Sequence, residues 1–374
     1  MASKVTLRTL LCDLLNIEYP IVLAGMGVFG MATPPRLVAA VSEAGGLGVL
    51  GGSGLDPDDI RQRCREVREL TDRPYGVDLL LPASLAPAAT TRSGVKAGLE
   101  ADFPKHVAFV KELLERFDLP EVQIDNEIVL SAEFMEAQIQ VCLDEKVPVF
   151  AAGLGDPARI VPRARAQGMT VMGLVGSTRN ALRQVASGVD IVIAQGTEGG
   201  GHTGRTANYA LLPQTVDAVA PVPVVAAGGI TDGRGVAASL MFGAVGAWIG
   251  TAFLVAEECD YPDALKQLLI KGETYQFDTS KYWTGKPVRT QRNPISDAWE
   301  QSGLPALPTP HQRVLAEDLL ASARQTGRWD MFFNPGGQGV SAITEIRPAA
   351  EIMESLVKGA VEVLKSAPDR IEFG

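Results

Sequence analysis

Short apolar runs recur along the chain, each bounded by polar or glycine-containing sequence: Ile21 to Ala24, Leu47 to Leu50, Tyr75 to Leu79, Val147 to Ala152, Thr170 to Leu174, Asp190 to Ala194, Val224 to Ala227 and Ala247 to Ile249. Runs this short and this uniformly apolar suit strands of a parallel sheet covered on both faces, because a sheet with one wet face would alternate apolar and polar residues. Helical patterns lie between them, at Pro34 to Ala44, Asp58 to Leu70, Ala132 to Glu145, Pro157 to Gln167, Arg179 to Ser187, Leu211 to Val219 and Asp232 to Phe242. Strands alternating with helices imply right-handed βαβ units. Eight such units close into an α/β (β/α)8 barrel of the TIM type, with functional residues expected at the C-terminal ends of the strands.

Two stretches depart from a plain barrel. Pro82 to Asp125 is a long insertion after the third strand, with a charged helical stretch from Lys105 to Phe117, expected to fold over or beside the mouth as a candidate lid. After the eighth strand, the segment 257–346 is rich in Pro, Gly and Trp and shows few periodic signals. It reads as a smaller cap-like unit on a barrel spanning 1–256, and 347–374 as a closing helix that packs back on that barrel.

Composition excludes several classes. A length of 374 residues with 46% apolar residues supplies a large core, and a formal charge of -10 with no basic stripe argues against nucleic acid or an anionic membrane as partner. Cys12, Cys64, Cys142 and Cys259 lie far apart without metal-ligand spacing, so no metal site or disulfide framework is expected, and a reducing cytoplasm fits. The N-terminus carries Lys4 and Arg8, but its apolar stretch from Leu10 to Leu15 is broken by Asp13 and lacks a cleavage signal. Val236 to Ala256 is free of charge over the length of a spanning helix, yet Gly243, Gly246 and Gly250 divide it into a helix end and a strand.

The chemistry concentrates at Ala194-Gln-Gly-Thr-Glu-Gly-Gly-Gly-His-Thr-Gly-Arg-Thr206, where the sixth strand runs into glycine. Gly196, Gly199, Gly200, Gly201 and Gly204 strip side chains from a loop that carries Gln195, Glu198, His202 and Arg205, so backbone can approach a ligand closely. A merely mobile connection gains nothing from a histidine set among glycines, and His202 is one of only three histidines. With an ordinary pKa of about 6.5 it is placed to move a proton.

The seventh strand ends in Ala226-Ala-Gly-Gly-Ile-Thr-Asp-Gly233 and the eighth in Trp248-Ile-Gly-Thr-Ala252. Loops in these positions of a (β/α)8 barrel often hold phosphate on bare backbone N–H groups, here offered by Gly228, Gly229, Gly250 and Thr251. On this reading Gly229→Val loses the ligand because the new side chain takes the phosphate's place. At the first strand, Leu23-Ala-Gly-Met-Gly27 lets a flat ring lie against backbone beside the polarisable Met26. A phosphate grip, a small-residue floor and a histidine loop suit FMN, and no dinucleotide fingerprint is present.

These motifs resemble the nitronate monooxygenase (2-nitropropane dioxygenase) family of FMN-dependent barrels. The histidine loop is similar to that family's signature, Pro223-Val-Val-Ala-Ala-Gly-Gly-Ile-Thr-Asp-Gly233 to its phosphate loop, and Pro20-Ile-Val-Leu-Ala-Gly-Met26 to its opening strand. Gly337-Gln-Gly339 and Glu345-Ile-Arg-Pro-Ala-Ala350 extend the likeness almost to the end of the chain, and flavin-dependent enoyl-acyl-carrier-protein reductases share the same loops. The resemblance implies a flavin ring against Ala24, Gly25 and Met26, with Gln195 beside it. It implies phosphate on Gly228, Gly229, Gly250 and Thr251, further cofactor contacts at Gly200, Gly201, Ala227 and Gln338, and His202 as the catalytic histidine. The third strand usually ends Gly-Val-Asn in that family, whereas here it reads Gly76-Val-Asp78. An ionised Asp78 would have to accept its hydrogen bond from the flavin.

The resemblance implies oxidation of a nitronate, or of a nitroalkane whose α-proton His202 removes, by one-electron transfer to FMN followed by reaction with O2. Its alternative is reduction of an enoyl thioester (acyl-carrier-protein or CoA) by NAD(P)H through FMN. A non-redox barrel acting on a phosphorylated ligand would use the same loops without a flavin. The substrate is expected to be a small molecule, and the sequence carries no signal for oligomeric state.

Overall fold

The computed structural model describes residues 5–82, 90–127 and 131–369. Lys4, part of the insertion at 83–89 and the end of the closing segment at 370–374 lie outside the described residues.

The strands are β1 Ile21–Leu23, β2 Gly48–Gly51, β3 Tyr75–Leu80, β4 Val149–Gly153, β5 Thr170–Val175, β6 Ile191–Gln195, β7 Gly201–His202, β8 Val224–Ala227, β9 Gly246–Ile249, β10 Phe277–Ser280 and β11 Val288–Gln291. Eight of them form one parallel sheet in the order β1-β9-β8-β6-β5-β4-β3-β2. A parallel bridge between Val22 and Leu47 joins its edges, with Leu23 N–H donating to the Leu47 carbonyl at 2.9 Å and Leu47 N–H to that of Ile21 at 3.0 Å. The expected (β/α)8 barrel is therefore closed.

The uniformly apolar runs follow from two separate cores. Within β6, Ile191 and Ile193 point into the barrel with Val22, Val225 and Trp248, while Val192 and Ala194 face the helices outside. Each fully buried large aliphatic side chain contributes roughly 1.5–3 kcal/mol, so both faces favour apolar residues. The N-terminal helix Leu10–Leu15 plugs the barrel, with Leu11, Cys12 and Leu15 joining its interior cluster. That use explains the apolar stretch near the start. The uncharged run from 236 to 256 is a helix end, β9 and the short helix Thr251–Leu254, and among the described residues no helix is long and apolar enough to cross a membrane.

Outer helices begin where side chains satisfy their first N–H groups. Asp56 caps Pro57–Leu70, Ser177 caps Thr178–Ala186, and Asp232 caps Gly233–Met241. The helix expected over 157–167 contracts to Val161–Arg165, and that expected from Leu211 begins at Asn208. Ala207 offers no side-chain cap there, but the Glu198 carboxylate accepts from Asn208 N–H at 2.9 Å.

The segment after the barrel is more regular than its sequence suggests, with helices Asp263–Ile270, Pro294–Ser302 and His311–Gln325 and an antiparallel pair β10–β11. Strand β11 also pairs with β7, so this segment is stitched to the histidine loop by backbone hydrogen bonds. The closing helix Ala349–Ser366 packs on Gly233–Met241 and Pro35–Glu43.

The insertion contributes helices Arg92–Asp102 and Pro104–Arg116, which pack on His311–Gln325. The Arg92 guanidinium, 7% exposed, pairs with Glu317 and Asp318, Lys96 reaches Asp318 at 3.0 Å, and His106 Nε2 meets the Pro305 carbonyl at 2.9 Å. Among the described residues only Pro82 of the insertion reaches the mouth cavity. The described helices of the insertion thus stand beside the mouth and buttress a roof made by the later segment.

Candidate active site

At the C-terminal ends of the strands lies a cavity of about 360 Å³. Ala24, Gly25 and Met26, then Asp78, Gln195, Gly200, Gly201, His202, Ala227, Gly228, Gly229, Gly250 and Thr251 all line it, so residues expected from separate loops do converge. A more open groove of about 700 Å³ lies between Arg205, Lys281 and Arg292. It contains none of the barrel's strand ends, and the (β/α)8 architecture places chemistry at those ends.

His202 stands opposite Val288 in the β7–β11 ladder. Its Nδ1 lies 3.1 Å from the Pro287 carbonyl oxygen. A carbonyl only accepts, so Nδ1 carries the proton and a neutral ring leaves Nε2 with its lone pair. Burial pushes the His202 pKa below its ordinary value; the Pro287 contact opposes this, while Lys286 and Arg313 reinforce it. Gln195 donates from Nε2 to the His202 carbonyl at 2.8 Å, which fixes the histidine's backbone from the end of β6.

Several positioning residues carry no motif of their own. Arg289 is buried and ties the loop to the hairpin, donating from Nη1 to the Phe277 carbonyl at 2.6 Å and from Nη2 to that of Thr197 at 3.0 Å. Asn208 donates from Nδ2 to the carbonyls of Ala227 at 3.0 Å and Gly228 at 2.5 Å, holding the loop after β8. Thr33 Oγ1 accepts from Gly51 N–H at 2.8 Å and donates to the Met26 carbonyl at 3.0 Å, shaping the floor. Only the packed structure reveals them, because each acts on backbone distant in sequence.

Gly228 and Gly229 have left-handed φ values of 94° and 74°. A Cβ at Gly228 would lie 2.8 Å from the Gly196 carbonyl oxygen, and one at Gly229 would lie 2.9 Å from Glu198 Cβ. A side chain at Gly229 therefore meets Glu198 and a left-handed backbone, a cost in folding that adds to any effect on a bound phosphate. Elsewhere in the loop, a Cβ on Gly200 would lie 2.6 Å from the backbone of Gly336. Gly196 and Gly204 are absent from the cavity lining: the first abuts Glu198 and Asn208, the second Gly176. Part of the glycine run thus serves packing rather than ligand approach.

The roof comes from Trp283, Lys286, Arg313, Glu317 and Phe333. Trp283 and Phe333 meet edge to face at 5.9 Å, and Arg313 bonds Glu317 at 3.0 Å. Phe332, beside Phe333 in sequence, is buried instead. Gln338 does not line the cavity. Its N–H donates to the Glu198 carbonyl at 2.8 Å and its own carbonyl accepts from Thr274 Oγ1 at 2.8 Å, so it fastens the cap-like segment to the histidine loop.

Residues present fit a flat ring bearing a phosphate. Small residues at Ala24 and Gly25 leave room against the strand ends, Gly228 and Gly229 form a left-handed turn on the wall, and the buried Oδ1 of Asp78 has no partner among the described residues.

The family model for nitronate monooxygenase matches residues 8–359. A probable nitronate monooxygenase of Staphylococcus saprophyticus is 30% identical, the match covering 96% of this chain and 99% of that one. Among solved structures, nitroalkane oxidase from Streptomyces ansochromogenes superposes with a TM-score of 0.81 at 29% identity, covering 95% of this chain and 99% of that one. FabK from Thermotoga maritima gives 0.77 at 30% identity, covering 98% and 100%. With the matched model spanning nearly the whole barrel and its cap, the chain belongs to the nitronate monooxygenase family of flavin-dependent oxidoreductases.

Proposed function

We propose that the chain oxidises small alkyl nitronates, or the parent nitroalkanes, with O2, using FMN held in the strand-end cavity. The observation that carries this reading is His202, a neutral histidine held by Pro287 and Gln195 on the cavity wall. FMN, when bound, supplies the redox chemistry. The chain's own residues supply the rest. Ala24, Gly25 and Met26 would floor the ring, with Gln195, Gly200 and Gly201 beside it, while Ala227, Gly228, Gly229, Gly250 and Thr251 would hold the phosphate. Lys286 and Arg313 place positive charge on the same wall and suit an anionic substrate. The Nε2 of His202 takes the α-proton of a neutral nitroalkane, a step that a preformed nitronate does not need.

The barrel 1–256 would carry the cofactor and the segment 257–346 would close over the substrate, with 347–374 bracing the barrel from outside. The four cysteines are free and buried, which suits a reducing cytoplasm as the working compartment. Releasing the ligand of the purified protein by heat and separating it against standards tests the cofactor. FMN is expected, and FAD or no flavin contradicts the reading. Reduction of an enoyl thioester by NAD(P)H would use the same cavity, and rapid bleaching of the flavin by NAD(P)H would favour it.

A further inference from the structure

Asp78 lies on β3 with its backbone paired to Gly51 of β2 and Ala151 of β4. Its side chain lines the cavity and is nearly buried, and Oδ1 has no hydrogen-bond partner among the described residues. The nearest neighbours cannot answer a charge. A Cβ on Gly25 would fall 2.4 Å from Asp78 Cβ, and one on Gly153 would fall 3.9 Å from Oδ1. Among the described residues the other charged or titratable groups on the cavity wall are His202, Lys286, Arg313 and Glu317, and none contributes to the titration of Asp78, which burial alone raises well above the usual carboxylate range. A carboxylate buried without a cation or donor takes up a proton instead. In that form it has one O–H donor and keeps acceptor capacity, the same pair of functions as an asparagine amide.

We propose that Asp78 is held as a neutral carboxylic acid whose O–H donates a hydrogen bond to an acceptor atom of the bound flavin ring. This replaces the expectation that an ionised aspartate accepts from the flavin, and it rests on the flavin assignment above. The aspartate does at neutral pH what an asparagine would do there, with one difference: it can ionise. When pH rises far enough to remove its proton, the ring loses a donor and gains a negative charge beside it, which disfavours adding electrons to the flavin.

Two measurements on the holoenzyme test this. Infrared difference spectroscopy between the wild type and Asp78→Asn should show, at neutral pH, the carbonyl stretch of a protonated carboxylic acid in the wild type alone. The reduction potential of the bound flavin should agree between the two proteins at mildly acidic pH, and should fall below the variant's in the wild type at alkaline pH. A carboxylate signature at neutral pH overturns the proposal, as do potentials that run parallel at every pH. If Asp78→Asn folds poorly, the wild-type band and its loss on alkaline titration decide the matter. A colourless protein overturns the cofactor reading itself, and is told apart by its spectrum.

Discussion

The Nδ1–H of His202 donates to the carbonyl oxygen of Pro287 at 3.1 Å, across the joint between the barrel's histidine loop and the roof segment. That bond leaves Nε2 as the basic nitrogen. His202→Asn should lower turnover of neutral nitroalkanes by roughly a hundred- to ten-thousand-fold, with a smaller loss on preformed nitronates. Steady-state rates on both forms, with flavin content as a control, check this. Equal losses on both would assign His202 to substrate positioning.

The pH dependence follows in sign. Burial lowers the His202 pKa, so the base remains neutral below the ordinary value of about 6.5, and the acid limb of kcat/KM for neutral nitroalkanes should break below that value. The same shift lowers stability on acidification. Below about 6.5 the unfolded chain takes up a proton that the folded histidine does not, so stability falls as pH falls through that window. His202→Asn should flatten this part of the melting-temperature profile.

Gly229→Val should destabilise the fold as well as empty the site. A β-branched residue at a φ of 74° with Glu198 Cβ at 2.9 Å is strained, and a cost of about 1–3 kcal/mol is expected. Melting of the flavin-free proteins isolates that cost. An unchanged melting temperature with complete loss of flavin would restore the simpler reading, in which the side chain displaces phosphate.

Much of this architecture was legible in the chain because the constraints are local. Strands buried on both faces need continuous apolar runs, and β6 with Ile191 to Ala194 shows why, since alternate residues feed different cores. The glycine and histidine loop announced itself by composition. What stayed hidden depends on distant partners: the β7–β11 pairing, Arg289 reaching Thr197, and the helices of the roof. Asp78 is the sharpest case, since its identity is plain in the sequence while the burial of its carboxyl, with Gly25 and Gly153 close by, is visible only in the fold.

Thr33→Val tests one of those hidden supports. The hydroxyl bridges Gly51 N–H and the Met26 carbonyl in a buried position, and removing it strands both groups. A loss of about 1–3 kcal/mol in stability is expected, with weaker flavin retention as the floor loosens. Denaturant unfolding and flavin release on dilution measure the two effects.

Arg92→Ala tests the buttress. Glu317 keeps Arg313 and Asp318 keeps Lys96, so the cost should be about 1–2 kcal/mol rather than that of a fully orphaned buried charge. Because Glu317 lines the cavity, KM should rise more than kcat falls. An unchanged KM would mean that the insertion does not influence the roof.

Anaerobic mixing of the purified protein with a preformed alkyl nitronate, followed by the flavin's visible absorbance, tests nitronate oxidation itself. The nitronate should bleach the flavin without NAD(P)H, and admitting O2 should restore the colour while nitronate is consumed. A flavin that the nitronate leaves untouched, but that NAD(P)H bleaches rapidly, would contradict it.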